Sequence, residues 1–84
     1  MEIVEVTWLD AQEETEMLGL DAVVRQMPIP TKTVGYLIKN SGDCVVISAS
    51  VFGEGEADKK IYRSTWTIPK GCIKEIKKLN DTNS

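Results

Sequence analysis

The chain has 84 residues, of which 42% are hydrophobic, and a net charge of −3. This length fits one domain with one core, and this apolar content excludes a disordered chain. No apolar run approaches the roughly 20 residues that span a bilayer, and the acidic N-terminus lacks the basic residues of a signal peptide. The sequence therefore predicts a small cytoplasmic domain over residues 1–79 and a disordered polar tail over residues 80–84.

The charge is unevenly distributed along the chain. Residues 1–30 hold seven acids against Arg25 alone, a net charge of −6, whereas residues 31–84 hold nine Lys/Arg against six acids, a net charge of +3. Such asymmetry can mark a surface that faces a partner. The alternative is a solvated acidic helix beside a sheet that carries ordinary surface lysines.

The first 30 residues predict a strand followed by a short helix. Val4, Val6 and Trp8 fall on one face of an alternating segment, the pattern of a half-buried strand. Asp10 with Glu13 three residues later is typical of a helix N-terminus, and Pro28 and Pro30 exclude a helix beyond them. We expect a short helix between Ala11 and Gln26, with its apolar side formed by Met17, Leu18, Leu20, Val23 and Val24.

The remaining sequence predicts four more strands. Residues 32–39, 44–52 and 61–68 are rich in β-branched and aromatic side chains, and "NSGD" between the first two is a hairpin turn. The apolar segment 44–52 is predicted to be an interior strand. Pro69 ends the fourth strand, Lys70–Cys72 has the length of one 3₁₀ turn, and residues 73–79 form a short closing strand. The three-residue spacing of Ile73, Ile76 and Leu79 favours a last helical turn as the alternative.

These elements predict a mainly β fold, a small five-stranded SH3-like or Sm-like barrel with a short helical insertion after the first strand. Closing the barrel would remove exposed strand edges. The alternative is an α+β sheet with a C-terminal helix. The predicted core contains Val6, Leu37, Val46, Ile47, Trp66, Ile68 and Ile73.

Three segments, "VTWLDA", "TVGYLIK" and "TIPKGCIKEIKKL", together resemble small uncharacterised proteins of tailed phages and prophages. The "IPKGCI" stretch is also similar to the 3₁₀ turn and final strand of SH3-like barrels. The resemblance implies an accessory gene that acts in the cytoplasm of an infected bacterium, in counter-defence or host takeover. It implies no catalytic motif.

The residue types argue against catalysis. The chain has no histidine, no G-x-S-x-G and no phosphate-binding loop, and its two cysteines, Cys44 and Cys72, lie far apart. Four close Cys or His ligands, as a zinc site needs, are absent. The sequence predicts a non-enzymatic protein without a metal or cofactor, with both thiols reduced and buried.

The predicted activity is binding. One hypothesis is that the chain sequesters a small anionic, nucleotide-like ligand, which aromatic rings and cationic side chains would hold. Another is that the chain binds and blocks a bacterial defence protein. The candidate ligand-binding residues are Trp8, Tyr36, Lys60, Arg63 and Lys70. Ile3, Ile61 and either Tyr36 or Tyr62 are expected to lie uncovered on strand faces, so a homo-oligomer is expected. Because Arg63 shares a strand face with Ile61, the binding site is expected at or near the subunit seam.

Two other functions stay open. The chain could be a structural or assembly component of a virion, which needs only strand edges and apolar patches. It could instead bind single-stranded nucleic acid as an Sm-like protein, although a pI near 4.9 opposes this. No membrane partner is expected.

Overall fold

The computed structural model describes residues 1–80 and is dominated by antiparallel strands. The strands are β1 (Ile3–Asp10), β2 (Ile29–Asn40), β3 (Cys44–Phe52), β4 (Ile61–Pro69) and β5 (Ile73–Lys78). A five-residue helix, α1 (Leu20–Val24), follows β1, and two 3₁₀ turns, η1 (Ala57–Lys59) and η2 (Lys70–Cys72), flank β4. Within residues 1–80, no helix has both the length and the apolar character needed to cross a membrane.

The strands form one sheet in the order β4-β3-β2-β1-β5, with every neighbouring pair antiparallel. The mainly β class, the five strands and the 3₁₀ turn before the last strand are confirmed, and β3 is an interior strand as predicted. The alternative of a C-terminal helix is wrong, because residues 73–78 pair with β1. A register shift between Thr7 and Trp8 explains why Ile73 and Ile76 have the three-residue spacing of a helix although they lie in a strand. The shift places Ile76 opposite Val6 and Ile73 opposite Trp8.

The sheet is not closed into a barrel, so the prediction of closure is wrong. β4 and β5 are the two edges, and they are joined only through the three residues of η2. Pro69 has no N–H to donate at the end of β4. Ile73, the first residue after η2, is already opposite Trp8 of β1, so the chain has joined the other edge before a ladder between β4 and β5 can form.

The core is formed by side chains from both halves of the sheet. β2 joins these halves, with β1 and β5 on one side of it and β3 and β4 on the other. Residues 29–36 of β2 pair with β1, whereas residues 36–40 pair with β3. Fully buried side chains come from both sides of this division: Val4, Val6, Val45, Ile47 and Ile68. Trp8, Leu37, Ile73 and Ile76 pack against them and are partly buried. Burial of these apolar side chains is the main term that stabilises the sheet.

Gly35 sits where β2 changes partners, and its lack of a side chain is required there. A Cβ at this position would lie 2.7 Å from the backbone oxygen of Ser48. Any larger residue would push β2 and β3 apart, so Gly35 permits the close approach of the two strands.

The predicted core is correct in most positions and wrong in two. Val6, Ile47 and Ile68 are fully buried, and Leu37 and Ile73 pack against them. Val46 is only half-buried, because its neighbours Val45 and Ile47 take the core-facing positions of β3. Trp66 is 40% exposed. It lies opposite Ile47, but on an edge strand of a sheet that stays open, so its outer part lacks cover.

The segment between β1 and β2, residues 11–28, is named the arm. The predicted helical insertion is confirmed, but α1 covers only Leu20–Val24 and its N-cap is Gly19. The prediction of an N-cap at Asp10 is wrong, because Asp10 belongs to β1 and pairs with Ile29. The prediction that the arm has a buried apolar side is also wrong, since every side chain of the arm except Ala22 is exposed.

The end of the described chain is attached to β1. The side-chain oxygen of Asn80 accepts a hydrogen bond from the Ile3 backbone N–H at 3.0 Å, and the Leu79 N–H donates to the Ile3 carbonyl at 2.8 Å. Residues 81–84 of the predicted tail lie outside the described residues.

Candidate functional site

The arm carries the most exposed large apolar side chains among the described residues. Met17 is 99% exposed, Leu20 76% and Met27 73%, and Val24 is exposed as well. Leu20 and Val24 are four residues apart in α1, so they lie on one face of the helix. Solvent-exposed clusters of this kind usually mark surfaces that contact another molecule.

The apolar side chains of the arm stand beside acidic ones. The acids are Glu13, Glu14, Glu16 and Asp21, against Arg25 as the single cation of residues 11–28. All are exposed. Neither of the ion pairs found within residues 1–80, Glu5–Lys32 and Glu2–Lys78, involves the arm. Four acids against one cation give the arm a net charge of −3, in the same segment as its exposed apolar side chains.

Local hydrogen bonds fix the shape of the arm. The Gln12 amide Nε2 donates to the Met27 carbonyl at 2.8 Å and so links the two ends of the segment. Within it, the Arg25 side-chain Nε donates to the Asp21 carbonyl at 2.9 Å, and the Glu16 N–H donates to the Glu14 carboxylate at 3.0 Å. Because these contacts are all local, the arm is held in place without covering its apolar side chains.

A second exposed group lies where β3 and β4 meet the loop that joins them. Phe52 is opposite Ile61, and Arg63 stands one pair further along the same face, opposite Ser50. The Arg63 guanidinium carbon lies 5.3 Å from the centre of the Phe52 ring, within range of a cation–π interaction. We name Phe52, Ile61 and Arg63 the hairpin cluster.

The backbone beside the hairpin cluster is held by a buried serine. Ser48 is fully buried, and its Oγ lies 2.8 Å from the Ser50 carbonyl oxygen and 3.0 Å from that of Arg63. Its one hydroxyl proton is therefore shared between a carbonyl of β3 and a carbonyl of β4. Ser64, the next residue of β4, has a φ of 57°, which is uncommon for a residue other than glycine. The Ser48 hydroxyl thus satisfies carbonyls at a place where the regular strand is interrupted.

The five predicted ligand-binding residues do not form one group. Lys60 and Arg63 lie close in sequence at the start of β4, whereas Lys70 lies in η2, beyond the other end of that strand. Tyr36 is half-buried in β2, opposite Ile3 and Ser48. Trp8 packs against the core, and its indole Nε1 donates to the Thr33 hydroxyl at 2.9 Å.

Two features of the surface were missed by reasoning from the sequence. The residue pattern alone does not identify Phe52 as a partner for Arg63, although antiparallel pairing of the strands on either side of residues 53–60 brings the two close together. The apolar residues of the arm predict a buried helix side, which the structure does not contain. Their irregular spacing around Gly19 was the available signal that no long helix forms there.

Both thiols are free and only half-buried, so the prediction of two buried core thiols is wrong in the degree of burial. Cys44 opens β3, where its Sγ lies 3.9 Å from the Ser41 hydroxyl oxygen, and Cys72 ends η2. Among residues 1–80, no three His, Cys, Asp or Glu side chains are grouped as a metal site requires, and no pocket is found.

No known protein family matches this chain, and no curated protein or solved structure is significantly similar to it.

Proposed function

We propose that this chain is a non-enzymatic binding protein whose arm docks onto a protein partner. The observation that carries the proposal is the exposure of Met17, Leu20 and Met27 beside four acids. Covering them would remove apolar area from water at about 25 cal/mol per Å², a gain that the isolated chain forgoes. The complementary partner has an apolar groove with basic side chains at its rim.

The phage resemblance gives this proposal its context. A phage accessory protein acting in the cytoplasm of an infected bacterium would use the arm to block a bacterial defence protein. The same arm would serve a virion component equally well, with a neighbouring virion protein as the partner. We also propose that the sheet is an open relative of SH3-like and Sm-like barrels, which is supported by its strand order and by the 3₁₀ turn before β5.

The test uses three versions of the full chain as baits in a lysate of bacteria that carry the relevant defence system. They are the wild type, an arm variant with Leu20→Ser, Val24→Ser and Met27→Ser, and a control with Val34→Ser. Val34 is exposed like the arm residues but lies in β2. Quantitative mass spectrometry identifies proteins that the wild type and the control retain and the arm variant loses.

Each protein identified is then purified and titrated calorimetrically against the three versions. We expect the arm variant to bind at least 10-fold more weakly than the wild type, and the control to match the wild type. Equal affinity of all three versions contradicts the proposal, as does a capture experiment in which the arm variant loses nothing.

A second candidate function is favoured by the hairpin cluster. An arginine held over an aromatic ring is preorganised to contact a planar anion such as a nucleotide. In a homo-oligomer, two such arginines at a seam would repel each other unless an anion lay between them. A ratio of 260 to 280 nm absorbance that is high in the purified wild type and normal in Arg63→Glu would support this function. Single-stranded nucleic acid is the further alternative, and it would raise the same ratio, so nuclease treatment separates the two.

A further inference from the structure

The two open edges of the sheet differ in chemistry. β5 carries Lys74, Lys77 and Lys78 within six residues, and lysines on an edge strand discourage pairing with another chain. β4 has no charged residue from Ser64 to Pro69, and threonine, tryptophan and isoleucine fill the stretch. By this comparison β5 is protected against strand addition and this part of β4 is not.

The backbone of β4 faces its open edge in a defined pattern. The Lys70 N–H donates to the Asp43 carbonyl at 2.9 Å, which makes Cys44 and Pro69 a pair whose own N and C=O groups point away from each other. Pro69 is tolerated for this reason, because an N–H at this position would point away from β3 and would not take part in the ladder.

The same alternation runs back along β4 from Pro69. The register stays regular from Cys44↔Pro69 to Ser48↔Thr65, so Thr65 and Thr67 also direct their N–H and C=O groups outward. Residues 1–80 supply no backbone partner for these groups. The two N–H groups and two C=O groups of Thr65 and Thr67 are thus available to an added strand.

The two ends of this stretch are cationic. Arg63 precedes it and Lys70 follows it, and β3 behind it contains no charged residue. Asp43 is the acid nearest to Lys70 in the register, but the ion pairs within residues 1–80 involve neither Arg63 nor Lys70. A partner strand with acidic residues at its ends would match this distribution.

The same charges oppose pairing of β4 with a second copy of itself. A second copy of β4 could pair only through the outward-facing groups, for example with Thr65 of each copy opposite Thr67 of the other. This register places Arg63 of each copy opposite Pro69 of the other and next to its Lys70. Four cations would then lie along one seam with no acid from β4, and charged side chains on an edge strand disfavour such pairing.

We propose that the edge of β4 between Arg63 and Lys70 is a strand-addition site for an extended peptide segment with acidic ends. Arg63 and Lys70 are seven positions apart, so a segment of eight residues is needed to place one end residue opposite each cation. Its two end residues lie about 24 Å apart at roughly 3.4 Å per residue. Main-chain hydrogen bonds to Thr65 and Thr67 would supply affinity, and the charged ends would set specificity. The site uses no residue of the arm, so it stands or fails independently of the proposed docking by the arm.

The experiment titrates the full chain with a capped octapeptide of alternating threonine and valine that has glutamate at both ends. Two control peptides carry lysine at the ends or N-methyl groups on the backbone that would face β4. Amide NMR spectra and hydrogen exchange report on Thr65 and Thr67. We expect both amides to exchange rapidly in the free chain and at least 10-fold more slowly with the acidic peptide, and we expect neither control peptide to bind.

Variants of the chain complete the test. Arg63→Glu should weaken the acidic peptide at least 10-fold, whereas Arg25→Glu in the arm, the same change of charge, should leave binding unchanged. Thr67→Pro should abolish binding while keeping the ladder to β3. If Thr67→Pro fails to fold, the N-methylated peptide still tests the backbone bonds.

Three results would overturn the proposal. Equal binding of the lysine-ended peptide would show that the charges do not select the partner. Slow amide exchange of Thr65 and Thr67 in the free chain would show that the β4 edge is already covered. Sedimentation would then identify the cover: a second copy if the protein is a dimer, and the chain's own arm if it is a monomer. Chemical-shift changes confined to residues outside β4 would place binding elsewhere.

Discussion

β3 and the arm are both rich in large apolar side chains, but the two segments differ in how far these side chains are buried. β3 buries Val45 and Ile47 completely, whereas the arm leaves Leu20 and Met27 about three-quarters exposed. β3 pairs with β2 on one side and β4 on the other, and its buried side chains pack in one cluster with those of β1 and β4. The arm has only local hydrogen bonds. The apolar content of a segment therefore does not decide whether its side chains are buried. Burial also requires other strands whose side chains cover them.

The largest effect is expected in β3, from Ile47→Ala. Ile47 is fully buried between the two parts of the sheet, and its truncation removes contacts and leaves a cavity. We expect a loss of about 3–4 kcal/mol in the free energy of unfolding, measured by urea denaturation. Ile47→Val should cost only about 1 kcal/mol, which keeps the comparison measurable if the alanine variant is unfolded. A wild-type midpoint for Ile47→Ala would contradict the assignment of the core.

Next in size is the expected effect of Gly35→Ala. The added Cβ would lie 2.7 Å from the Ser48 backbone oxygen, so β2 and β3 must separate at the place where β2 changes partners. We expect a loss of about 2 kcal/mol, from the same denaturation measurement. Gly42→Ala is the matched control, because nothing lies within 4 Å of a Cβ there. Equal stability of the two variants would show that the strands do not approach so closely.

Ser48→Ala should have a smaller effect. It removes the hydroxyl that donates to the carbonyls of Ser50 and Arg63, and these lose a buried partner. We expect a cost of about 1 kcal/mol. Thr65→Ala, an exposed change opposite Ser48, serves as the control and should be close to neutral. A cost for Thr65→Ala as large as that for Ser48→Ala would refute a specific role of the buried hydroxyl.

The smallest effect is expected in the arm. Leu20→Ser and Val24→Ser change side chains that contact mainly water, so each should alter the free energy of unfolding by less than about 0.5 kcal/mol. Thermal or urea denaturation of the isolated chain checks this. A loss of 2 kcal/mol or more would show that the arm packs onto the sheet and would remove the basis for its role in docking.

Much of the fold was predictable because local patterns were consistent with it. The alternation of Val4 and Val6, the turn at residues 40–43 and the bounds of β3 follow from period-two patterning and turn chemistry. The candidate site was less predictable. The contact of Arg63 with Phe52 depends on the register between two strands, and the exposure of the arm depends on the absence of a covering surface.

The sequence by itself determined the mainly β class, the five strands and the 3₁₀ turn at Lys70–Cys72, because alternation, Gly, Pro and turn residues act over a few neighbouring positions. Only the tertiary structure decided that Trp66 stays 40% exposed, that Val45 rather than Val46 enters the core, and that the sheet remains open. These outcomes follow from register and from which strands become edges. A one-residue change in register turns a side chain to the other face, and a local pattern does not specify the pairing partner.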